Sequence, residues 1–484
     1  MIQIRSRWRV VLSVLLIAAT PIAVLPQSRR TPTTQRKEIL EKNVRAELTF
    51  LASDAMQGRG SGTNYERVAA EYIGSMFQQF GLEPAGDSDA SGNKSFVQRV
   101  ALESARFTAA PILNAGSGNA AKSWQYGRDF LVTGMRVPRI SGTLQIIEGD
   151  ATPAKGSIAL IRLPENVDAT QRQNRIRAAR ASQAGAAVVI ETEANKRQRE
   201  AGARLPTAPP RVAGEPSTDS PFATISLRKE AFEELASMPN GTTIELSGEL
   251  QTESGAATWN AVGLLRGSDP KATGEAITLS AHLDHLGVNE TLTGDKIYNG
   301  ADDDASGCVA VLELARVLAS GKKPRRSIYF VCFGSEERGG HGARYFIDHS
   351  PVPLEKIVAD IQFEMIGRPD AKVPKDTLWL TGYERSTLGP ELARQGALLV
   401  ADPHPQQNFF QRSDNYTLAL RGVVAHTVSS FGLHTDYHRP SDDVSKVDFA
   451  FMTHAINSMV APIRWLANSD FRPTWLPDQQ PRRN

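Results

Sequence analysis

The chain has 484 residues, about three times a typical domain, so we expect at least two folding units. Lys and Arg number 55 against 53 Asp and Glu, and the formal charge of +2 lacks the strongly basic balance of a nucleic-acid-binding protein. Hydrophobic residues at 40% and charged residues at 22% exclude wholesale disorder, a collagen repeat and a polytopic membrane protein. Every histidine follows residue 281, so histidine chemistry is expected only in the C-terminal part.

The first residues have the pattern of an export signal. Arg5, Arg7 and Arg9 precede an apolar run over residues 10–25, which is the charge and length typical of a signal peptide. The run is shorter than the ~20 apolar residues of a membrane span, so an uncleaved anchor is the weaker alternative. We therefore predict a signal peptide at 1–28 and a periplasmic or secreted mature protein without stable membrane association.

Two amphipathic helices are predicted next, over residues 36–53 and 64–80. The second is marked by Thr63 and Glu66, which have the spacing of a capping box, and by Gly81 at its end. Each helix is expected to bury one face against a domain core.

A separate β-rich unit is predicted over residues 129–255. Strand-like runs and one basic helix occur at 142–147, 156–162, 169–183 (the helix) and 186–191. The sequence KGSIALIRL, then a helix, then AGAAVVIE resembles a protease-associated (PA) module, which implies that this unit contacts substrate or another protein. The basic helix lacks interleaved aromatic residues, so we interpret it as a solvated face. The proline-rich, charged stretch at 194–221 is predicted to be a long surface loop.

The C-terminal region, residues 256–484, alternates strand-like and helical patterns. Strands are predicted at 276–281, 327–333, 357–363 and 423–428, and a helix at 305–318. This alternation predicts an α/β fold with a doubly wound, mostly parallel sheet, in which ligands bind beyond the carboxyl ends of the strands. An exported protein can pair its two cysteines, but Cys308 and Cys332 lie inside apolar runs, which favours free, buried thiols over a disulfide.

Candidate metal ligands directly follow three of these strands. They are His282 and Asp284 in AHLDHLG, Glu336 and Glu337 in FGSEERGG, and Glu364 in QFEMIGRPD. The helix-opening run NGADDDASG adds Asp302 to Asp304, and the loop HTDYHRPSDD adds His438. Parallel strands bring these ends to one edge, and two imidazoles with several carboxylates are a ligand set that zinc accepts.

Together these segments resemble the M28 zinc peptidases, whose aminopeptidases carry two zinc ions. The resemblance runs from LASDAMQGRGSGTNYERVAAEYI near the N-terminus through all five metal-site segments in family order. It is most specific at AHLDHLG, GADDDASG and SEERGG. It implies a peptidase domain made of residues 29–128 and 256–484, with the PA-like unit inserted at 129–255.

The resemblance also implies two zinc ions per chain. His282 and Glu364 resemble the ligands of one ion. Glu337 and His438 resemble the ligands of the other, and Asp303 looks like the carboxylate that bridges both. These five residues are therefore the predicted metal ligands.

Two further acids are implied to act in catalysis. Asp284 is similar to the acid that orients the site, and Glu336 looks like the general base that takes a proton from a metal-activated water. The chain departs from the commoner family pattern at Glu364, where Asp is frequent, and at Asn415, where His is frequent. The family also tends to hold a cis peptide after the bridging acid, here Asp303.

The roles of several neighbouring residues stay open. His285 either supports the site or forms a wall of the pocket, and His434 competes with His438 for the ligand role. Tyr383 is a candidate donor to the oxyanion, and residues 412–414 either line the pocket or face solvent.

The resemblance implies an exported two-zinc metallo-aminopeptidase whose partners are peptides and not nucleic acid. The nearest alternative is a carboxypeptidase or dipeptidase of the same family, similar to glutamate carboxypeptidases. A one-zinc glutaminyl cyclase is disfavoured because the ligands of both metals are present together with a PA-like unit. A non-catalytic, receptor-like binding protein is disfavoured because every ligand position carries a coordinating side chain.

Overall fold

The computed structural model describes residues 38–116, 121–164, 167–215, 221–272 and 274–482. The predicted signal peptide at 1–28 lies outside these ranges. Within them, no helix combines the length and the apolar character needed to span a membrane.

Ten α-helices occur in the described part of the chain. They are α1 (Glu41–Leu51), α2 (Asn64–Gln79), α3 (Ala169–Ala181), α4 (Glu193–Glu200), α5 (Lys229–Ala236), α6 (Gly307–Ala319), α7 (His341–Asp348), α8 (Leu388–Arg394), α9 (Asn415–Ala419) and α10 (Phe449–Asn468). The cap predicted for the second helix is present, since the Thr63 side chain accepts a hydrogen bond from the backbone N–H of Glu66. The polar cap and the apolar spacing of that segment were therefore sufficient to locate α2.

The strands of the same ranges number twenty. They are β1 (Glu83–Pro84), β2 (Val97–Phe107), β3 (Ile112–Ala115), β4 (Lys122–Gln125), β5 (Phe130–Thr133), β6 (Arg139–Ile147), β7 (Ile158–Ile161), β8 (Ala186–Ile190), β9 (Thr207–Val212), β10 (Ala223–Leu227), β11 (Thr243–Ser247), β12 (Leu250–Leu265), β13 (Ala276–His282), β14 (Gly287–Val288), β15 (Ile297–Tyr298), β16 (Ser327–Phe333), β17 (Ile357–Phe363), β18 (Leu378–Leu380), β19 (Leu399–Ala401) and β20 (Ala425–Ser429).

The larger sheet is mixed, whereas the sequence predicted a mostly parallel one. Its order is β19-β18-β20-β17-β13-β16-β12-β2-β9, with β1 paired to β12. The ladder is parallel from β20 through β17 and β13 to β16, where helices connect successive strands. It is antiparallel at β12, β2 and β9. In sequence, the antiparallel strands β2 and β12 flank the strands of the second sheet and β9 lies among them. All three therefore lie outside the run of alternating strands and helices on which the prediction of a parallel sheet rested.

The second sheet has eight strands in the order β4-β3-β11-β6-β7-β8-β10-β5. Its strands fall between residues 112 and 247 and enclose a hydrophobic cluster of their own. The neighbours β6, β7, β8 and β10 are parallel. The assignment of this unit as a PA-like module, and the boundaries at 129 and 255, stay predictions.

The stretch at 194–221 is not the predicted surface loop. It contains most of α4 and the whole of β9. Thr192 and Asn195 form a capping box at the start of α4. This pair was overlooked because the proline content of the stretch is typical of a loop. Strand β9 carries two prolines and pairs with β2 at the edge of the larger sheet, the position where a strand without all its N–H donors is tolerated.

Helix α6 is buried along nearly its whole length beneath the larger sheet. It contacts β13, α1 and α10, so the segment that opens it, which contains the acidic run, is held in place from several sides. Cys308 on α6 and Cys332 on β16 are free and buried, as predicted.

Asp360 on β17 is fully buried, and only one of its carboxylate oxygens has a partner, the Ser280 hydroxyl at 2.9 Å. Burial raises the pKa of Asp360 to about 7. Between about pH 4 and about pH 7, the folded state therefore binds a proton that the unfolded chain has released. As pH rises through this range, Asp360 lowers the free energy of unfolding.

Replacing Asp360 with asparagine is therefore expected to raise the free energy of unfolding more at higher pH. At about 1.4 kcal/mol per pKa unit, the stability advantage of Asp360→Asn should grow by about 2–3 kcal/mol between pH 5 and pH 8. Denaturant unfolding at both pH values measures it, with exposed Asp295→Asn as the control. An advantage that is equal at the two pH values would show that Asp360 is ionised throughout.

Candidate metal centre

The carboxyl ends of three strands carry the predicted ligands to one edge of the larger sheet. His282 ends β13, Glu337 lies four residues beyond β16, and Glu364 directly follows β17. Because β13 pairs in parallel with both β16 and β17, these three ends are neighbours.

Asp303 stands between two groups of donor atoms. Its Oδ1 lies 3.2 Å from Nε2 of His282, and its Oδ2 lies 3.2 Å from Nε2 of His438. The same His438 nitrogen lies 3.2 Å from Oε2 of Glu337. Burial alone would raise the pKa of Asp303, but His285, His282 and His438 hold that pKa well below its usual value. The Asp303 carboxylate thus places one oxygen beside His282 and the other beside His438.

Glu364 lines the cavity that also contains Asp303, Glu336 and Glu337. Its Oε2 accepts a hydrogen bond from Nε2 of Gln362 at 3.4 Å. Burial and the neighbouring acids raise the pKa of Glu364 to about 6. The extra methylene relative to aspartate therefore leaves the carboxylate inside the cavity.

The structure separates His434 from His438. Nε2 of His434 lies 2.9 Å from Oδ2 of Asp302, whose Oδ1 accepts a hydrogen bond from the backbone N–H of Gly367 at 2.7 Å. His434 therefore contacts Asp302, and His438 contacts Asp303 and Glu337. Spacing along the chain could not distinguish these two residues.

His285 also reaches the acidic pair. Its Nδ1 lies 2.8 Å from Oε1 of Glu337 and 3.8 Å from Oδ2 of Asp303, and its side chain is fully buried. His285, Asp303 and Glu337 each offer a ligand atom within 4.8 Å of the other two.

Asp284 connects the ligand loop to Glu336. Its Oδ1 accepts a hydrogen bond from the Glu336 backbone N–H at 2.9 Å, and its Oδ2 accepts one from the Ser61 hydroxyl. Nδ1 of His282 lies 3.2 Å from the carbonyl oxygen of Asp284 and 3.8 Å from its carboxylate, so the closer contact is through the backbone. Burial raises the pKa of Glu336 well above its usual value.

Asp304 ties the ligand segments together. Its carboxylate accepts hydrogen bonds from the backbone N–H groups of His282 at 3.1 Å, Gly307 at 3.0 Å and Met365 at 3.1 Å. The peptide bond between Asp303 and Asp304 is cis, as the resemblance implies. One buried carboxylate thus joins the end of β13, the start of α6 and the residue after Glu364.

Arg59 supports the same loops from the N-terminal region. It is 1% exposed and its guanidinium donates to four backbone carbonyls, those of Leu283 at 2.9 Å, Leu51 at 2.7 Å, Asn299 at 2.7 Å and Gly300 at 3.0 Å. In the sequence, Arg59 stands out only as part of a family-like segment. Three of its four partners lie more than 200 positions further along the chain.

Replacing Arg59 with lysine is expected to weaken zinc binding, because an ammonium group cannot reach four carbonyls in the planar arrangement of a guanidinium. Loss of the groups that orient ligands typically costs about 10–100-fold in metal affinity. Zinc titration of the folded variant measures this, with exposed Arg421→Lys as the control. Wild-type affinity combined with a lowered unfolding temperature would indicate that Arg59 supports the fold alone.

The cavity beside these acids has one apolar wall. Met365, Trp379, Phe409, Phe431 and Tyr437 line it, and Arg412 and Ser413 also line the cavity. Asp414 and Asn415 are buried and do not line it.

Tyr437, and not Tyr383, lines the cavity. Its ring stacks on His438 with 3.9 Å between centroids, and its hydroxyl oxygen lies 3.4 Å from Nη2 of Arg412. Tyr437 was not among the residues predicted from the sequence, although its place directly before the predicted ligand His438 was a signal for it. Tyr383 is therefore not supported as an oxyanion donor.

The donor set fits zinc. Imidazole nitrogens and carboxylate oxygens are ligands that this ion accepts. Those of His282, Asp303, Glu337 and His438 each lie 3.2 Å from another ligand atom of the set, and Glu364 lines the same cavity.

Comparison with known proteins supports this interpretation. Residues 260–462 match the sequence profile of Peptidase family M28. The chain is 26% identical to aminopeptidase YwaD of Bacillus subtilis over 361 residues, covering 71% of this chain and 68% of that protein. It is 31% identical to leupeptin-inactivating enzyme 1 of Streptomyces exfoliatus over 121 residues, and the match spans only a quarter of that enzyme's length.

Two solved structures share the fold. An aminopeptidase from Aneurinibacillus sp. strain AM-1 has a TM-score of 0.54 at 19% identity, covering 93% of this chain and 99% of that chain. The zinc aminopeptidase BSAP of Bacillus subtilis has a TM-score of 0.51 at 18% identity, covering 90% and 97%. Residues 260–462 of this chain thus match peptidase family M28, and the chain shares the fold of these two aminopeptidases.

Proposed function

We propose that this protein is an exported metallo-aminopeptidase that uses two zinc ions to remove N-terminal residues from peptides. The observation that carries the proposal is Asp303, whose two carboxylate oxygens face different histidines, His282 and His438. The names of the YwaD and BSAP relatives point to the same activity.

The residues would hold the ions as two sets joined by Asp303. His282 and Glu364 would complete one set, and Glu337 and His438 the other. Zinc bound there supplies a Lewis acid that polarises the scissile carbonyl and lowers the pKa of a water molecule toward about 7.

Glu336 acts as the general base. Burial raises the pKa of Glu336 well above its usual value, which makes its carboxylate a stronger acceptor for a proton from water, to be returned to the leaving amine. The hydrogen bond from its backbone N–H to Asp284 holds the Glu336 backbone, and therefore the base of its side chain, in position. Asp284 is therefore a positioning residue for both His282 and Glu336.

Tyr437 is the donor to the developing oxyanion. Its oxygen lies within reach of an Arg412 donor, which leaves the hydroxyl hydrogen free to point into the cavity. Such donors matter because charge that develops in a water-poor site needs preorganised partners.

The cavity also suits a free N-terminus. Glu336 and Glu364 attract a positively charged α-amino group, while Met365, Phe409 and Phe431 offer apolar contact to the first side chain. We therefore expect activity to require an unblocked amine and to favour apolar first residues.

One observation favours a carboxypeptidase or dipeptidase of the same family as the second candidate. Arg412 is the single Lys or Arg among the described residues that line the cavity, and a carboxypeptidase needs a cation to hold the terminal carboxylate of its substrate.

A panel of short peptides with free, N-acetylated or C-amidated ends distinguishes the two. Cleavage of free-amine peptides and peptide amides, lost with a chelator and restored by Zn²⁺, is expected. Cleavage of acetylated peptides but not of amides would replace the aminopeptidase proposal with the carboxypeptidase. We also propose that the protein is exported, which fractionation of expressing cells tests. The unit predicted at 129–255 would bind the peptide substrate or another protein.

A further inference from the structure

A third histidine faces the second metal position. His285 directly follows Asp284, its Nδ1 approaches both Glu337 and Asp303, and its side chain is fully buried. His438, by contrast, is 35% exposed. The family resemblance assigns only His438 to this position.

The donor atoms of His285 and His438 lie close to those of Glu337 and Asp303, at separations near those of a ligand shell. Nδ1 of His285 lies 2.8 Å from Glu337 and 3.8 Å from Asp303, and Nε2 of His438 lies 3.2 Å from each. With bonds of about 2.0–2.2 Å, neighbouring donors of a tetrahedral zinc lie about 3.3–3.6 Å apart. The observed separations bracket that range.

The His285 ring is also held in this orientation. Its backbone N–H donates to the Arg59 carbonyl at 3.2 Å, and its own carbonyl accepts from the Ser61 N–H at 3.3 Å. The ring packs against Gly300, where an added Cβ would come within 2.6 Å of it. The imidazole therefore has little room to turn away from Glu337 and Asp303.

We propose that His285 is a ligand of the second metal position, together with Asp303, Glu337 and His438. The proposal rests on the metallopeptidase function given above and adds a sixth protein ligand to the five that the family resemblance implies. The second position then has four protein donors against three at the first, His282, Asp303 and Glu364. A site with more protein ligands is closed and holds its ion more tightly, while the other keeps an open position for substrate.

The first test separates a ligand from a hydrogen-bond donor, because 2.8 Å suits both roles. In His285→Asn, an amide nitrogen takes the approximate place of Nδ1 and can still donate to Glu337, but the imidazole ligand is gone. We expect zinc titration of wild-type protein to show a tighter and a weaker equivalent. His285→Asn should lower the tighter affinity by at least about 10–100-fold. Exposed His454→Asn is the control and should bind as wild type does.

A cysteine at the same position reports coordination directly. His285→Cys loaded with Co²⁺ should show thiolate-to-cobalt charge-transfer absorption, which the buried Cys308 and Cys332 of the wild-type protein do not contribute. Wild-type zinc binding by His285→Asn, or cobalt binding by His285→Cys without that absorption, would overturn the proposal while leaving the peptidase function intact. If the wild-type protein binds no zinc, the proposed function itself fails.

A measurement on unaltered protein removes the dependence on folded variants. Cobalt-loaded wild-type protein should show hyperfine-shifted ring N–H resonances from three histidines, His282, His285 and His438. Two such resonances would contradict the ligand role of His285, and three would support it.

Discussion

Glu336→Gln protein is expected to lose peptide hydrolysis by about 10²–10⁴-fold, the typical contribution of a general base. The amide has nearly the same shape as the carboxylate but cannot accept the proton of the attacking water. The backbone N–H of residue 336 still donates to Asp284, so the loop should keep its conformation. The measurement is kcat and KM on an unblocked peptide.

Zinc binding distinguishes this effect from damage to the site. Glu336 is not one of the ligands, so Glu336→Gln should bind zinc with the stoichiometry of the wild-type protein. Exposed Glu290→Gln is the matched control and should hydrolyse normally. Robust hydrolysis by Glu336→Gln would remove Glu336 from the base role, and loss of zinc would make it a ligand.

Asp303→Asn is expected to affect both metal positions at once. The substitution keeps the size of the side chain but removes the charge that faces His282 on one side and His438 on the other. Replacing a residue that only orients a ligand typically lowers metal affinity by about 10–100-fold. Removing a shared ligand should therefore lower both zinc affinities by at least about 100-fold. Hydrolysis should then be lost at ordinary zinc concentrations.

Zinc titration checks this prediction, with exposed Asp295→Asn as the control for charge alone. If one zinc equivalent still binds to Asp303→Asn with wild-type affinity, Asp303 serves a single position and the shared-carboxylate arrangement is wrong. Partial recovery of activity at high zinc would agree with weakened ligation.

Much of the fold followed from local patterns. The buried strands that end near His282 and Phe333 were predicted within one residue, because short apolar runs bounded by polar residues are typical of strands buried on both faces. The edge strand β9 was missed, because prolines at 209 and 210 are typical of a loop. The pairing partner β2 that makes it a strand lies about a hundred residues earlier.

The site divides in the same way. The sequence alone, through motif spacing and family resemblance, was sufficient to nominate Asp303, Glu337 and His438 and to place them at strand ends or in loops. Only the tertiary structure decided that His434 contacts Asp302, that Tyr437 lines the cavity, and that His285 faces Glu337. Motifs record which side chains are available along the chain, whereas the direction of each side chain depends on packing between segments far apart in sequence.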